Sequence, residues 1–192
     1  MLLNDKEIRG LCEEGMINPY LPKLVNKIND QKTISYGQSS FGYDIRLSPN
    51  DVKIFRGVPN KIVDPKNFSG LFLEDQEVTK IGDEKYFVLP AFSYSLGVSV
   101  EEFKIPNDIT AVCLGKSTYA RCGILINVTP LEAGWRGFLT IEISNISSSA
   151  VKIYLDEGIA QLLFFRGNLP ELSYNDRNGK YQGQAQKVIF PR

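Results

Sequence analysis

The chain has 192 residues, 43% of them apolar, which is enough for one domain that buries roughly two-thirds of its unfolded surface. Lys+Arg and Asp+Glu balance at 22 each, so no global field draws in a nucleic-acid backbone or an anionic bilayer, and any anion site must be local. There is no histidine, which excludes Ser-His-Asp and Cys-His nucleophilic mechanisms and the H-x-E half of the zinc-deaminase signature.

The N-terminal MLLNDKEIRGLCEEG is charged by its fifth residue and has no apolar signal region, and no later run approaches the roughly 18 apolar residues of a membrane span. A soluble, cytoplasmic protein is expected. Asn4 can cap a short helix with Glu7 at its third position; Ile8, Leu11 and Cys12 then share one face before Gly15 stops it. Pro19 and Pro22 restrict the following Met16–Lys32 stretch to a loop with at most one helical turn. Cys12, Cys113 and Cys122 are odd in number with no C-x-x-C spacing, so they are read as reduced thiols in or near the core.

From Ile34 the pattern turns to strands. A Gly-rich turn with Gly37 and Gly42 leads into Tyr43-Asp44-Ile45-Arg46-Leu47, where Asp44 and Arg46 share a face and read as a buried or interfacial ion pair in preference to a catalytic pair. Short strands are expected at Glu77–Ile81, Lys85–Leu89, Tyr94–Val100, Ile109–Leu114, Leu139–Ser144, Ala150–Leu155 and Ile159–Phe165. Asp156-Glu157-Gly158 makes a hairpin-like turn between the last two. The spacing of about ten residues is that of a sandwich, jelly roll or barrel. The polar, Gly/Asn/Gln-rich segment from about 167 to 192 reads either as a solvated tail or as a cover that orders over a ligand through Tyr174, Lys180, Tyr181 and Gln184.

Three features carry chemistry. Gly115-Lys116-Ser117-Thr118 resembles the end of a P-loop, but Thr110 stands where that motif needs glycine. What remains is a loop with two hydroxyls and cations at Lys116 and Arg121, suited either to polyphosphate oxygens or to a plain surface turn. In Leu139–Ser144, Thr140, Glu142 and Ser144 face one way and Leu139, Ile141 and Ile143 the other. On a solvent face Glu142 is an ordinary strand residue; in a pocket, desolvation would raise its pKa and make it a proton shuttle. Trp135, in the turn Glu132–Gly137, is read as a core anchor. Three Asn-x-Ser/Thr triplets, at Asn67, Asn127 and Asn145, are treated as chance matches.

Taken in chain order, SYGQSSFGYDIR at Ser35–Arg46, GKSTYARCGI at Gly115–Ile124, NVTPLEAGWRG at Asn127–Gly137, LTIEISN at Leu139–Asn145, EGIAQLLFF at Glu157–Phe165 and KYQGQ at Lys180–Gln184 resemble the bacterial dCTP deaminase family. The resemblance implies one domain over residues 1–192 with a dUTPase-like distorted jelly-roll β-barrel, a short N-terminal helix and a homotrimer with sites between subunits. It implies zinc-independent deamination of dCTP to dUTP and ammonia, with Mg2+ carried by the substrate triphosphate and no metal ligand from the protein. By resemblance Glu142 is the proton acceptor and donor, and Ser117 and Arg121 hold base and water. Lys116, Thr118, Tyr119 and Ala120 complete the phosphate loop, Thr140 and Ile141 contact sugar or base, and Gln161, Tyr174, Lys180 and Gln184 supply the remaining nucleotide contacts.

One departure bears on the alternatives. Some family members carry an Arg and an Ile-Asp pair before the Gly-Trp/Phe turn, and the aspartate activates water in dUTPases; this chain has the shorter Pro130-Leu131-Glu132. A bifunctional enzyme continuing to dUMP and pyrophosphate is therefore the less favoured alternative, beside a non-catalytic nucleotide-binding module on the same fold.

Overall fold

The computed structural model describes residues 1–191. A helix, α1 (Asp5–Glu13), precedes strands β1 (Ile17–Asn18), β2 (Val25–Ile28), β3 (Gln31–Ser39), β4 (Gly42–Arg46) and β5 (Lys53–Phe55). After a 3-10 turn at Gly70–Phe72 come β6 (Leu73–Asp75), β7 (Thr79–Ile81), β8 (Glu84–Leu89), β9 (Tyr94–Lys104) and β10 (Ile109–Gly115). The one-turn helix α2 (Ser117–Ala120) then leads to β11 (Ile124–Asn127), β12 (Arg136–Asn145), β13 (Val151–Tyr154) and β14 (Gly158–Arg166).

The helix forms as its sequence dictates. Asn4 accepts from the backbone N–H groups of Lys6 and Glu7, the Glu7 carboxylate accepts from the Asn4 N–H, and Ile8 and Cys12 enter the core. Met16–Lys32 differs from expectation: it holds β1 and β2 and no helical turn. Asn29 and Asp30 both adopt positive φ, 48° and 62°, the backbone of a tight hairpin turn, which closes β2 onto β3.

The strands make three sheets. One runs β11-β12-β9-β5-β6 with β1 also on β9; a second runs β10-β14-β4-β3-β2; a third runs β13-β8-β7. The Asp156 turn, with φ 60°, is where expected, but it links two different sheets and makes no hairpin, since β13 pairs with β8 and β14 with β10 and β4. Apolar faces of the sheets meet in a core that includes Ile45, Phe87, Phe103, Ile141, Ile143 and Phe164, each fully buried. Removing any one of these to Ala would cost about 2–5 kcal/mol by the lost transfer energy and the cavity left behind.

Asp44 and Arg46 do not pair with each other. Arg46 binds Glu101, which is wholly buried, and its guanidinium lies over the Tyr36 ring; Asp44 binds Lys116. Both partners lie on strands or loops far along the chain, and burial of each carboxylate demands an opposite charge in contact. Of the three thiols, Cys12 is buried and Cys113 half-buried, while Cys122 is exposed, contrary to the near-core placement expected for it. No helix among the described residues is long and apolar enough to cross a membrane.

Candidate active site

The β12 alternation does what its residue types require: Leu139, Ile141 and Ile143 are buried on one face, while Thr140, Glu142 and Ser144 are half-buried on the other. A bulge adjusts the aim of that second face. The register against β9 shifts between Phe138 and Thr140, and the Leu139 N–H, displaced from the ladder, donates to Ser99 Oγ at 2.9 Å. Thr140 and Glu142 thereby project into a cavity of about 720 Å3 rather than into open solvent.

Aromatic and aliphatic side chains wall this cavity, among them Phe55, Tyr94 and Leu96 from β5 and β9, Val128 and Leu131 from the turn after β11, and Trp135. Such surroundings strip water from the one carboxylate on the floor. Burial pushes the Glu142 pKa up to about 7, against hydrogen bonds from its own backbone and from Asn127, whose Nδ2 donates to Oε2 at 3.3 Å. The charge of Glu142 in turn adds to burial in holding the Tyr94 phenol and the Cys113 thiol up at about 12. Near neutral pH, Glu142 exchanges protons while Tyr94 and Cys113 stay protonated.

The polar segment after Arg166 covers this cavity. Gln182 Oε1 accepts from the Arg136 N–H at 3.1 Å, Gln182 Nε2 donates to Gly134 O at 3.0 Å, and Gln184 O accepts from Phe138 N at 3.0 Å. Gly137, at φ 144°, lets this backbone approach, since a Cβ there would meet Gln184 N at 2.6 Å. Tyr174, Tyr181, Gln184 and Ile189 line the cavity, and Glu132, also lining it, is ion-paired with Arg177 of the tail. Trp135 is 6% exposed, so it is an anchor, and it is also a wall of the pocket.

The hydroxyl-cation loop lies elsewhere in the chain. Ser117, Thr118, Ala120 and Arg121 are exposed, and none of them lines the cavity that holds Glu142. Tyr119 faces the core, its hydroxyl accepting from the Tyr154 N–H at 2.9 Å, and its carbonyl accepts from the Cys122 N–H at 2.9 Å. Lys116 is held by Asp44 and by Ser35 Oγ, with side chains of Lys116 and Asp44 only 11% and 6% exposed. Burial pushes the Asp44 carboxyl up against the pull of Lys116, and its Oδ1 is buried without a hydrogen-bond partner. Gln161 is next to Asp44 in the β14–β4 register and donates to Ser39 Oγ at 3.1 Å.

Of the residues expected at the site, the structure thus brings together Thr140, Glu142, Tyr174 and Gln184 in one cavity. Ile141 offers backbone alone, its side chain being core, and Lys180 is exposed on the tail. Sequence reasoning missed Asn127, Tyr94 and Phe55. For Tyr94 and Leu96 a signal existed, since alternate positions of β9 oppose Ser144 and Glu142 on the same face.

A mainly β scaffold that holds one carboxylate of near-neutral pKa in an aromatic-walled cavity, beside a separate cation-hydroxyl loop, has the parts of a general acid–base catalyst for a small, planar, anionic ligand. Comparison with known proteins makes this specific. The family model described as dCTP deaminase-like matches residues 2–167, and the chain belongs to that family. It is 49% identical over 183 residues to a dCTP deaminase of Acidovorax sp. (strain JS42), covering 94% of each chain. It is 48% identical over 191 residues to that of Neisseria gonorrhoeae (strain ATCC 700825 / FA 1090), covering 98% of this chain and 97% of the other. The structure of 2'-deoxycytidine 5'-triphosphate deaminase from Agrobacterium tumefaciens superposes with a TM-score of 0.59 at 21% identity, over 86% of this chain. This chain spans 46% of that protein's length. The mainly β fold with a short N-terminal helix expected from the sequence is the fold observed, and it is shared with that deaminase.

Proposed function

We propose that this chain hydrolyses dCTP to dUTP and ammonia, with Glu142 as the proton shuttle. The observation that carries the reading is the Glu142 carboxylate, with its pKa raised to about 7 by burial in the cavity, in a chain whose relatives are dCTP deaminases. The carboxylate form takes a proton from water as its oxygen adds to C4 of cytosine, and delivers that proton to N3. The new C4 hydroxyl then gives up its proton through Glu142 to the amine as the C4–N4 bond breaks. Ammonia leaves, and uracil keeps a C4 carbonyl and an N3–H. A pKa close to the working pH lets one group serve as base and then as acid.

Ser117 and Arg121 orient the base and the attacking water, and Lys116, Thr118, Tyr119 and Ala120 take the phosphates. Since that loop does not reach the Glu142 cavity of its own chain, a complete site takes the loop from a second copy, in the homotrimer implied by the family. Exposed apolar residues flank the loop and support this arrangement: Val112 and Leu114 on β10, Leu125 on β11, and Ile146 beyond β12 are 39%, 49%, 53% and 57% exposed. Thr140, Ile141, Gln161, Tyr174, Lys180 and Gln184 supply the other nucleotide contacts, and the tail closes over the base.

Mg2+ carried by the substrate triphosphate would neutralise phosphate charge, and the protein itself would supply no ligand to it. Among the described residues no cluster of three or more Cys, Asp or Glu side chains is placed to cage a metal. The orphaned Asp44 Oδ1, beside Lys116, is an acceptor that suits a water of a hydrated cation. A cytoplasmic setting fits three unpaired thiols. The ion pair of Glu132 with Arg177 commits the second carboxylate of the cavity and gives the bifunctional alternative no support. Incubation of the purified chain with dCTP and Mg2+ should release dUTP and ammonia in equal amounts; dUMP with pyrophosphate, or unconsumed dCTP, would overturn the reading.

A further inference from the structure

Asn127 begins the NVTPLEAGWRG stretch and an Asn-x-Thr triplet, neither of which assigns its side chain a role. It is the last residue of β11, the edge strand of its sheet, and lies directly opposite Glu142 in the antiparallel register. Its Nδ2 donates to Glu142 Oε2 at 3.3 Å, so the amide engages one of the two carboxylate oxygens. The chain then turns at once into Val128–Glu132, the wall of the cavity.

We propose that Asn127 is a positioning residue for the deamination: its side-chain amide holds one oxygen of Glu142 through every protonation state of the catalytic cycle. The inference rests on the function proposed above and extends it by one residue.

The chemistry explains why an amide suits the position. Glu142 must be carboxylate, then acid, then carboxylate again within a turnover. An amide offers N–H to the carboxylate and, by rotation about its last side-chain bond, a carbonyl oxygen to the acid. A lysine there would pin Glu142 ionised, an aspartate would pin it protonated, and an alkyl group would leave its orientation unset. The amide itself does not titrate, so it adds no proton of its own to the pH profile.

Within the same chain, the other groups facing Glu142 do not duplicate this role. Leu96 on β9 is apolar, and Tyr94 on β9 and Cys113 on β10 remain protonated near neutrality because burial and the Glu142 charge both raise them. Glu132 across the cavity is tied to Arg177, and Tyr174 and Tyr181 come from the tail. Asn127 is the polar partner whose loss Glu142 would feel, and because its hydrogen bond lowers the Glu142 pKa, that loss moves the pKa further up.

The test uses Asn127→Leu and Asn127→Asp, two near-isosteric changes at an exposed strand end, with kcat, KM and the pH profile of kcat/KM read on dCTP. Both variants should shift the acid limb to higher pH, Asn127→Asp by more, and lower kcat at pH 7 by about 10- to 100-fold, the size of a hydrogen bond to a charged group. KM should stay within about twofold, since the amide touches Glu142 and not the nucleotide. A structural role would change melting temperature and leave the acid limb in place; superimposable pH profiles would overturn the proposal. The unmodified chain gives a second readout that needs no variant: the 15N signal of the Asn127 side-chain amide should titrate with the midpoint of the Glu142 carboxyl carbon. An amide signal flat across that midpoint would equally overturn it. If the unmodified chain left dCTP unchanged, the proposed function would fail instead, and the two failures are distinguishable.

Discussion

The indole N–H of Trp135 donates to the backbone carbonyl of Tyr181 at 2.9 Å, so a part-buried hydrogen bond ties the wall of the Glu142 cavity to the segment that covers it. Tyr174 closes the same joint from the other side, its hydroxyl accepting from the Tyr181 N–H at 3.1 Å. The cover therefore has a defined seat even though its composition is polar and Gly-rich.

Trp135→Phe keeps most of the packing and removes the donor. It should lower the stability of the covering segment by about 1 kcal/mol and leave a half-buried carbonyl without its indole donor. Hydrogen exchange resolved by residue should show faster exchange at 179–184 with the core strands unchanged; uniform protection across the chain would show that the bond does not seat the cover.

Gly179 lies against the Tyr174 ring, where an added Cβ would sit 2.0 Å from a ring carbon. Gly179→Ala must displace that ring from the cavity. Because Tyr174 is read as a nucleotide contact, KM for dCTP should rise by about tenfold or more, the scale of one lost aromatic contact. An unchanged KM would remove Tyr174 from the binding surface.

Glu142 predicts opposite pH trends for activity and stability. In the proposed mechanism activity needs the ionised form, so kcat/KM should rise with pH through a midpoint near 7. For stability, a folded-state pKa raised from the ordinary 4.5 to about 7 means that the folded chain binds the proton more tightly than the unfolded one. That contribution is fully present below about pH 4.5 and is lost as pH rises through 7. Glu142→Gln does not titrate. Its melting curve should match the parent's at pH 4.5 and show a gain of about 1–3 kcal/mol at pH 8. Equal stabilities at both pH values would show that burial of Glu142 does not perturb its proton.

The proposed division of the site between copies predicts complementation. Chains carrying Arg121→Ala and chains carrying Glu142→Gln should each be nearly inactive, and mixing them under conditions that exchange subunits should restore about a quarter of the parental rate, as random pairing of intact halves requires. Assay of the mixture before and after exchange checks this; a mixture as inactive as its components would place both halves in one chain.

Local chemistry was legible in the sequence, and partners distant along the chain were not. The capping box at Asn4 and Glu7 and the alternation along β12 need only neighbours three residues and two residues apart. By contrast, Asp44 finds Lys116 and Arg46 finds Glu101 across 72 and 55 residues, and their shared strand face suggested the wrong pairing. Strand β11 escaped notice because four residues of CGILINVTP precede a proline, too short a run to display a period. The tail's composition spoke for disorder, whereas its seat depends on Trp135, Gly134 and Arg136, which no local reading connects to Tyr181 and Gln182. The loop at Ser117–Arg121 and the carboxylate at Glu142 were both legible, but their separation into two spaces appears only in the folded chain.

The most direct measurement compares the parent chain with Glu142→Gln on dCTP and Mg2+, following dUTP and ammonia in single-turnover and steady-state assays alongside nucleotide affinity. The account predicts equal release of both products by the parent. It predicts that the variant binds dCTP within a few-fold of the parent and loses about three or more orders of magnitude in turnover. A variant that still deaminates dCTP within tenfold of the parental rate would contradict the assignment of Glu142 as the proton shuttle.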